Sequence, residues 1–425
     1  MSIKKVSIVG LGYIGLPTAA VIASKEIEVA GIEINKNVVE IINSGNIHIV
    51  EPGLDLLIKS VIKSGHLKAF TQPVPADVFI ITVPTPFQES SSNIPKPDIS
   101  YVKSAVNSIA PVLKKGNLIV IESTIPVGTT EEIFKFISEL RPDFDLKFSE
   151  NRSPDINLAH CPERVLPGRI LTELVENDRV IGGMTNSCST KAIELYDIFV
   201  KGECITTDAR TAEMAKLTEN SCRDVQIAFA NELSILCDKF NIDVWELIEL
   251  ANRHPRINIL QPGPGVGGHC IAVDPWFIAN SAPNESLLIQ TARRVNDEKP
   301  IFVVKKILTA IEEISSVNLI DPKKINICFF GITFKADVDD LRESPAKNIV
   351  NMISKKTHSN IFVIEPNIKE LHDDKFNHID IKKACEIGDL AVLLVDHKEF
   401  KELDISSFKS VIDTKGITSK QGEKR

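Results

Sequence analysis

The tightest constraint on this chain comes at its start, where the apolar run Val6 to Val9 meets Gly10, Gly12 and Gly15 in the pattern GxGxxG and a helix-forming stretch follows. A strand, a glycine turn and a helix in that order make one βα unit of a parallel sheet. The first glycine permits the tight turn, the second lets a pyrophosphate approach the backbone, and the third lets helix and strand pack closely. A phosphate then sits on the helix N-terminus, where amide N–H groups point outward. Tyr13 and Ile14, inside the same turn, complete the expected cofactor-binding set. Glu33 lies 23 residues after Gly10, at the end of the next apolar run, where a carboxylate binds ribose hydroxyls and favours NAD over NADP. The reading is a Rossmann domain for NAD.

The same alternation continues through Val78 to Val83 and Leu118 to Glu122, giving a parallel α/β sheet up to about residue 200. Ligands bind at the carboxyl ends of such strands, so Thr85 in VPTPF and Thr124 in ESTIPVGTT face the nicotinamide side, or else cap the turns that follow them. From Thr211 to Ile242 Gly and Pro are almost absent and good helix formers dominate, so one long helix is expected there. Beyond about residue 320, strand-like runs at Ile325 to Phe330, Ile361 to Ile364, Leu390 to Val395 and Ser410 to Ile412 indicate a second α/β domain, and the polar stretch from Thr418 onward reads as a disordered tail. The expected division is 1–208, 209–315 and 316–425.

A second constellation lies in QPGPGVGGHC, residues 261 to 270, whose Pro and Gly density forbids regular structure. Cys270 closes that loop, and Asp274 follows four residues later. A helix starting near residue 269 favours a thiolate at its N-terminus and puts Asp274 on the same face. Most cysteines are small buried hydrophobes, and Cys270 differs from the other seven in this loop context. Lys216, Asn220 and Arg223 are spaced by four and three residues on the expected long helix, which aligns them on one face. That is either a solvated stripe or a pair of donors for a developing oxyanion, a demand of alcohol and aldehyde chemistry. Asn252, Arg253, His254 and Arg256, just before the glycine loop, supply positive charge for a diphosphate.

Composition narrows the partners. With 49 Lys and Arg against 57 Asp and Glu the net charge is −8, which argues against nucleic-acid or anionic-membrane binding. The eight cysteines contain no CxxC pair, so neither zinc nor a disulfide framework is expected, and no metal is assigned. The chain runs from Met1 straight into a strand, without a signal peptide or a membrane-length apolar run, so a cytoplasmic location is expected.

Seven ordered stretches resemble one family along nearly the whole chain: GLGYIGLP, VPTPF, ESTIPVGTT, CPERVLPG, AEMAKLTENSCRDV, NRHPRINILQPGPGVGGHCIAVDPWF and FKADVDDLRESPA. The family is the UDP-glucose/GDP-mannose dehydrogenases. The resemblance implies an N-terminal NAD-binding Rossmann domain, a central helical dimerisation segment and a C-terminal Rossmann-like UDP-binding domain, in a homodimer or higher homo-oligomer. It also implies oxidation of a C6 alcohol to a carboxylate through two hydride transfers, with Cys270 capturing the aldehyde as a thiohemiacetal that becomes a thioester.

Carried onto this chain, Lys216 and Asn220 steady the oxyanion, Asp274 and Thr124 position a water, and Glu163 assists hydrolysis. Glu163, Arg164, Lys216, Asn220, Arg223, His254, Arg256, Gly267, Phe334, Lys335 and Lys415 line the sugar-nucleotide site, and Arg342 reaches the cofactor phosphates. Val338 and Glu33 depart from the family pattern, replacing a common Thr and a common Asp. NRHPR and VPTPF favour N-acetylated sugars, UDP-N-acetyl-D-mannosamine first and UDP-N-acetyl-D-glucosamine second. A two-electron hydroxy-acid dehydrogenase leaves Cys270 and the last domain without a task. A non-enzymatic NAD-binding regulator needs no Lys216, Asn220, Cys270 and Asp274.

Overall fold

The computed structural model describes residues 3–88, 94–147, 153–268, 270–368 and 376–418. Residues 419–425 of the expected tail and His269 of the glycine loop lie outside that set. The chain packs as two compact units, Met1–Glu219 with Trp276–Pro283, and Asn220–Pro275 with Asn284–Arg425. The segment expected at 209–315 is thus divided between the two.

The first unit is built on eight strands: β1 (Lys5–Val9), β2 (Glu28–Ile32), β3 (Leu67–Phe70), β4 (Val78–Ile81), β5 (Leu118–Ile121), β6 (Asn157–His160), β7 (Arg179–Gly183) and β8 (Cys204–Asp208). Their order is β3-β2-β1-β4-β5-β6-β7-β8. Every pairing is parallel except β6 with β7. Helices α1 (Gly15–Ala23), α2 (Lys36–Asn43), α3 (Leu54–Lys63), α4 (Ser100–Ile109), α5 (Thr129–Leu140), α6 (Ile170–Glu176) and α7 (Asn186–Tyr196) lie between successive strands. The central strands are apolar at nearly every position because both faces of the sheet are covered, and two buried clusters form around it.

Helix α8 (Ala209–Phe240) runs 32 residues, close to the expected Thr211 to Ile242. Helices α9 (Val244–Asn252) and α10 (Asp274–Ser281) follow, and α11 (Leu287–Asn318) is a second 32-residue helix that carries Pro300 in its interior. The second unit holds five parallel strands, β9 (Asn326–Phe330), β10 (Asn360–Ile364), β11 (Asn377–His378), β12 (Leu390–Leu393) and β13 (Ser410–Asp413), with α12 (Pro345–Lys356) and α13 (Ile381–Ile387). Their order, β11-β10-β9-β12-β13, repeats that of the first five strands of the larger sheet.

Several runs expected as strands are shorter than the apolar pattern. Those read to Val83, Glu122 and Val395 end at Ile81, Ile121 and Leu393. The chain turns there at the carboxyl edge of the sheet. Strands β3, β6, β7, β8 and β11 escape the sequence reading because they are short or carry polar residues, as in CITTD of β8.

Candidate active site

In the first unit the glycine turn has the geometry that a dinucleotide needs. Gly10 has φ +94°, and a Cβ at Gly15 would lie 1.8 Å from the Gly10 carbonyl oxygen, so both positions exclude a side chain. A Cβ at Gly12 would meet nothing within 4 Å among the described residues, which leaves that backbone open to a phosphate. The Thr82 hydroxyl donates to the Gly10 carbonyl at 2.7 Å and holds the turn against β4. Ile14 precedes α1 without a side-chain cap, as an anion-accepting N-terminus requires. Glu33, half-buried beyond β2, accepts the Leu11 amide at 3.2 Å and the Asn35 amide at 3.0 Å. Its carboxylate is held at the crevice with capacity left for ribose hydroxyls. These residues fit NAD.

Thr85 and Thr124 are brought together, but by a contact between strand ends: the Thr85 hydroxyl donates to the Thr124 carbonyl at 2.7 Å. That uses the hydroxyl proton of Thr85 and leaves its oxygen able to accept from a ligand. The loop after Thr124 is fastened by Glu213 of α8, whose carboxylate accepts the amides of Gly128 and Thr130 at 2.5 and 2.7 Å and the Thr130 hydroxyl at 2.6 Å. Glu213 reads in the sequence as one more charge on a helix, and nothing there marks it as a cap for α5.

Glu163 is buried and spoken for. It receives the Arg164 amide at 2.7 Å and the Arg179 guanidinium at 2.7 Å. Arg179 is 2% exposed, and its guanidinium carbon lies 5.3 Å from the Tyr196 ring centre. Tyr196 donates to Glu122 at 2.7 Å. Burial, followed by the neighbouring Glu163 charge, pushes the Glu122 carboxyl up to about 7. Arg164 itself turns to Glu219 at 2.6 Å. Burial, with the Lys216 charge acting in the same direction, lowers His160 to about 3 and keeps it neutral. The sequence reading found Glu163, Arg164 and Lys216 but not Glu122, Arg179 or Tyr196. The available signal was an arginine opening the otherwise apolar strand RVIGG.

In the second unit Cys270 is exposed and lies in a turn before α10, not inside a helix that begins near 269. The helix starts at Asp274, and Pro275 sits in its first turn, where a missing amide proton costs no intrahelical bond. The Asp274 amide still donates to the Cys270 carbonyl at 2.8 Å, so the two residues are one helical turn apart. Asp274 is 3% exposed and accepts the Asn220 side-chain amide at 2.5 Å, which joins three of the expected residues.

The glycine loop is pressed against the 331–345 segment: a Cβ at Gly267 would lie 2.4 Å from the Glu343 carbonyl oxygen and 3.2 Å from Phe334 Cβ. Its entry is pinned by the Gly263 amide, which donates to Asn231 at 2.9 Å, and Asn231 donates in turn to Asn296 at 2.9 Å. Neither asparagine was expected to matter, since buried partners on two helices leave no sequence pattern.

The remaining expected residues are more open. Lys335 is exposed, Lys415 pairs with Asp396 at 3.3 Å, and Arg342 with Asp340 at 2.5 Å. His254, Arg256 and Arg223 are exposed, and the Arg256 amide donates to His254 at 3.4 Å. Asn252 does not supply charge for a ligand; it clamps its own loop by exchanging two hydrogen bonds with Ile259 at 2.7 and 3.0 Å. A cavity of about 410 Å³ in this unit, lined by Trp245, Lys299, Phe302 and Asp413 among others, includes none of the expected site residues. No helix among the described residues is long and apolar enough to cross a membrane.

Residues 4–200 match the NAD binding domain of the UDP-glucose/GDP-mannose dehydrogenase family, 210–298 its central domain and 328–420 its UDP binding domain. The UDP-N-acetyl-D-mannosamine dehydrogenase of Campylobacter jejuni is 57% identical over 94% of this chain and 97% of its own length. The NDP-N-acetyl-D-galactosaminuronic acid dehydrogenase of Ralstonia nicotianae is 53% identical over 98% of this chain and 96% of its own. A solved UDP-N-acetyl-mannosamine dehydrogenase from S. aureus is 45% identical, with a TM-score of 0.85 over 97% of this chain and 95% of that one. With an NAD crevice in place and all three family domains matched, the chain belongs to the UDP-glucose/GDP-mannose dehydrogenase family and is an NAD-dependent nucleotide-sugar dehydrogenase.

Proposed function

We propose that this enzyme oxidises UDP-N-acetyl-D-mannosamine at C6 to UDP-N-acetyl-D-mannosaminuronate in two two-electron steps, with Cys270 as covalent nucleophile. The observation that carries the reading is the joined set in the second unit: an exposed Cys270 one helical turn from a buried Asp274, which Asn220 holds at 2.5 Å. The names of the C. jejuni and S. aureus relatives support the sugar.

NAD, held at Gly10 to Gly15 and Glu33, supplies hydride acceptance in each oxidation. The chain's own groups do the rest. The C6 alcohol becomes an aldehyde, and the Cys270 thiolate adds to its carbon, forming a C–S bond and leaving charge on oxygen. Lys216 and Asn220 donate to that oxygen. The second oxidation turns the thiohemiacetal into a thioester. Asp274 and Thr124 position a water, Glu163 takes its proton, and the C–S bond breaks to release the carboxylate and regenerate the thiolate. One water and two NAD are consumed, and two NADH, the uronate and three protons are formed. Arg164, Arg223, His254, Arg256, Gly267, Phe334, Lys335 and Lys415 hold the sugar nucleotide, and Arg342 the cofactor phosphates. The same reading makes the enzyme a cytoplasmic homo-oligomer whose product feeds surface polysaccharide.

The test is the yield of NADH per sugar consumed, with UDP-N-acetylmannosamine, UDP-N-acetylglucosamine and UDP-glucose in parallel, and UDP-N-acetylgalactosamine because of the Ralstonia relative. Two NADH per sugar, fastest with the manno sugar, is the expected result, and Cys270→Ser should lower turnover by at least about a thousandfold while NAD still binds. A yield of one removes the role of Cys270. No NADH with any sugar returns the chain to the regulator reading.

A further inference from the structure

The second unit repeats the first at the level of single hydrogen bonds. Gly10 donates its amide to the Ile32 carbonyl, and Gly331, after β9, donates to the Ile364 carbonyl, both at 2.9 Å. Glu33 accepts amides from Leu11 and from Asn35, two residues on. Glu365 likewise accepts amides from Ile332 at 2.8 Å and from Asn367, two residues on, at 3.1 Å. Glu365 therefore occupies the position that the ribose-binding carboxylate holds in the first unit.

The difference lies in what meets that carboxylate. Glu33 is half-buried at a crevice, whereas Glu365 is 1% exposed and His397, fully buried, stands against it at 3.2 Å. The tautomer of His397 follows from its other nitrogen. The Asp337 backbone amide points at Nδ1 from 2.9 Å, and a backbone amide can only donate, so Nδ1 is the acceptor and the proton is on Nε2, directed at Glu365. Burial opposes ionisation of Glu365, but the His397 N–H and the Ile332 amide outweigh it and hold the carboxyl below its ordinary range.

The pair thus grips both ends of one segment, Ile332 and Thr333 through Glu365, and Asp337 through His397. Asp337 has φ +58°, a left-handed conformation that costs a non-glycine residue and needs such an anchor. Lys398 adds a further tie, its amide donating to Asp337 at 3.1 Å. Between the two anchors lie Phe334, which packs on Gly267 and Gly268 of the loop leading to Cys270, and the exposed Lys335. A cation bound by Asp337, His397 and Glu399, whose ligand atoms lie within 4.8 Å of one another, is not a competing use of this cluster. Both imidazole nitrogens are already committed, one as acceptor and one as donor.

We propose that Glu365 and His397 are positioning residues for the nucleotide end of the substrate, a ribose-type carboxylate turned inward to hold the segment that presents Phe334 and Lys335. This rests on the reading that those two residues hold the sugar nucleotide. The probe is UDP alone, titrated calorimetrically into the full-length protein, with KM and kcat for the sugar nucleotide measured alongside. His397→Leu should weaken UDP at least tenfold and raise the sugar-nucleotide KM by a similar factor, with kcat at saturation and NAD affinity unchanged. His397→Gln, which keeps an acceptor and a donor, should stay within a few-fold of wild type. Glu365→Gln, which keeps the side-chain shape, should shift UDP affinity in the same direction, and it decides the matter if the leucine variant does not fold. Folded variants that bind UDP as wild type does overturn the positioning role alone. A wild-type protein that does not bind UDP overturns the nucleotide reading and this role with it.

Discussion

At Glu122 burial and a shortage of positive charge act together. The residue is 3% exposed, one carboxylate oxygen takes the Tyr196 hydroxyl, and the other finds no hydrogen-bond partner among the described residues. Arg179 is committed to Glu163 and serves two carboxylates. The cheaper arrangement in a dry site keeps a proton on Glu122. The consequence for stability has a definite sign. In the unfolded chain Glu122 releases its proton near 4.5, and in the native protein only near 7. Between those values the native state holds a proton that the unfolded state has lost, so stability falls as pH rises through that window and levels off above it. Glu122→Gln lacks this dependence. Its melting temperature should gain on wild type from pH 4.5 to 7 and keep a constant lead at higher pH, worth up to about 3 kcal/mol. Parallel curves across that range would show Glu122 ionised throughout. None of this is legible in ESTIPVGTT, where Glu122 reads only as the end of a strand.

At the scale of elements, α8 and α11 are each 32 residues long and amphipathic only weakly, because polar residues are buried where they pack. Arg293 and Asp224 are 2% and 0% exposed and meet at 2.6 Å, with Asn296 donating to the same carboxylate at 2.8 Å. Arg293 also contacts Asp297. Burial raises Asp224 despite the pull of Arg293, so the pair is costly to desolvate and worth keeping only if both members are present. Asp224→Ala should therefore destabilise by about 3–5 kcal/mol, and Asp224→Leu with Arg293→Met by much less, as read from urea unfolding of both proteins. The long helix α8 was visible in the sequence because Gly and Pro are missing. Helix α11 was not separately visible, since Pro300 interrupts its pattern and only packing keeps the helix continuous across it.

In the whole molecule one fold is used twice, with the same five-strand order and the same carboxylate after the second strand of each set. The two carboxylates serve separate ligands in the reading above, so they should separate in binding. Glu33→Ala should weaken NAD by about 10–100-fold and leave UDP binding unchanged, the reverse of the His397→Leu outcome, measured by titration of each ligand. Loss of both affinities in Glu33→Ala would mean that the units do not bind independently. The sequence by itself determined the class of fold, the glycine turn at Gly10 to Gly15 with a carboxylate at Glu33, the long helix and the loop ending at Cys270. Each of these is a short-range pattern of glycines, apolar runs and strand ends, set by backbone geometry within a few dozen residues. Only the tertiary structure decided that the Thr85 hydroxyl turns to Thr124, and that Arg179, Tyr196 and Glu122 surround Glu163. It alone decided that Glu365 faces a histidine where Glu33 faces a crevice. These are pairings across 16 to 74 positions of chain, and a buried charge chooses its partner by proximity in space, which local pattern does not encode.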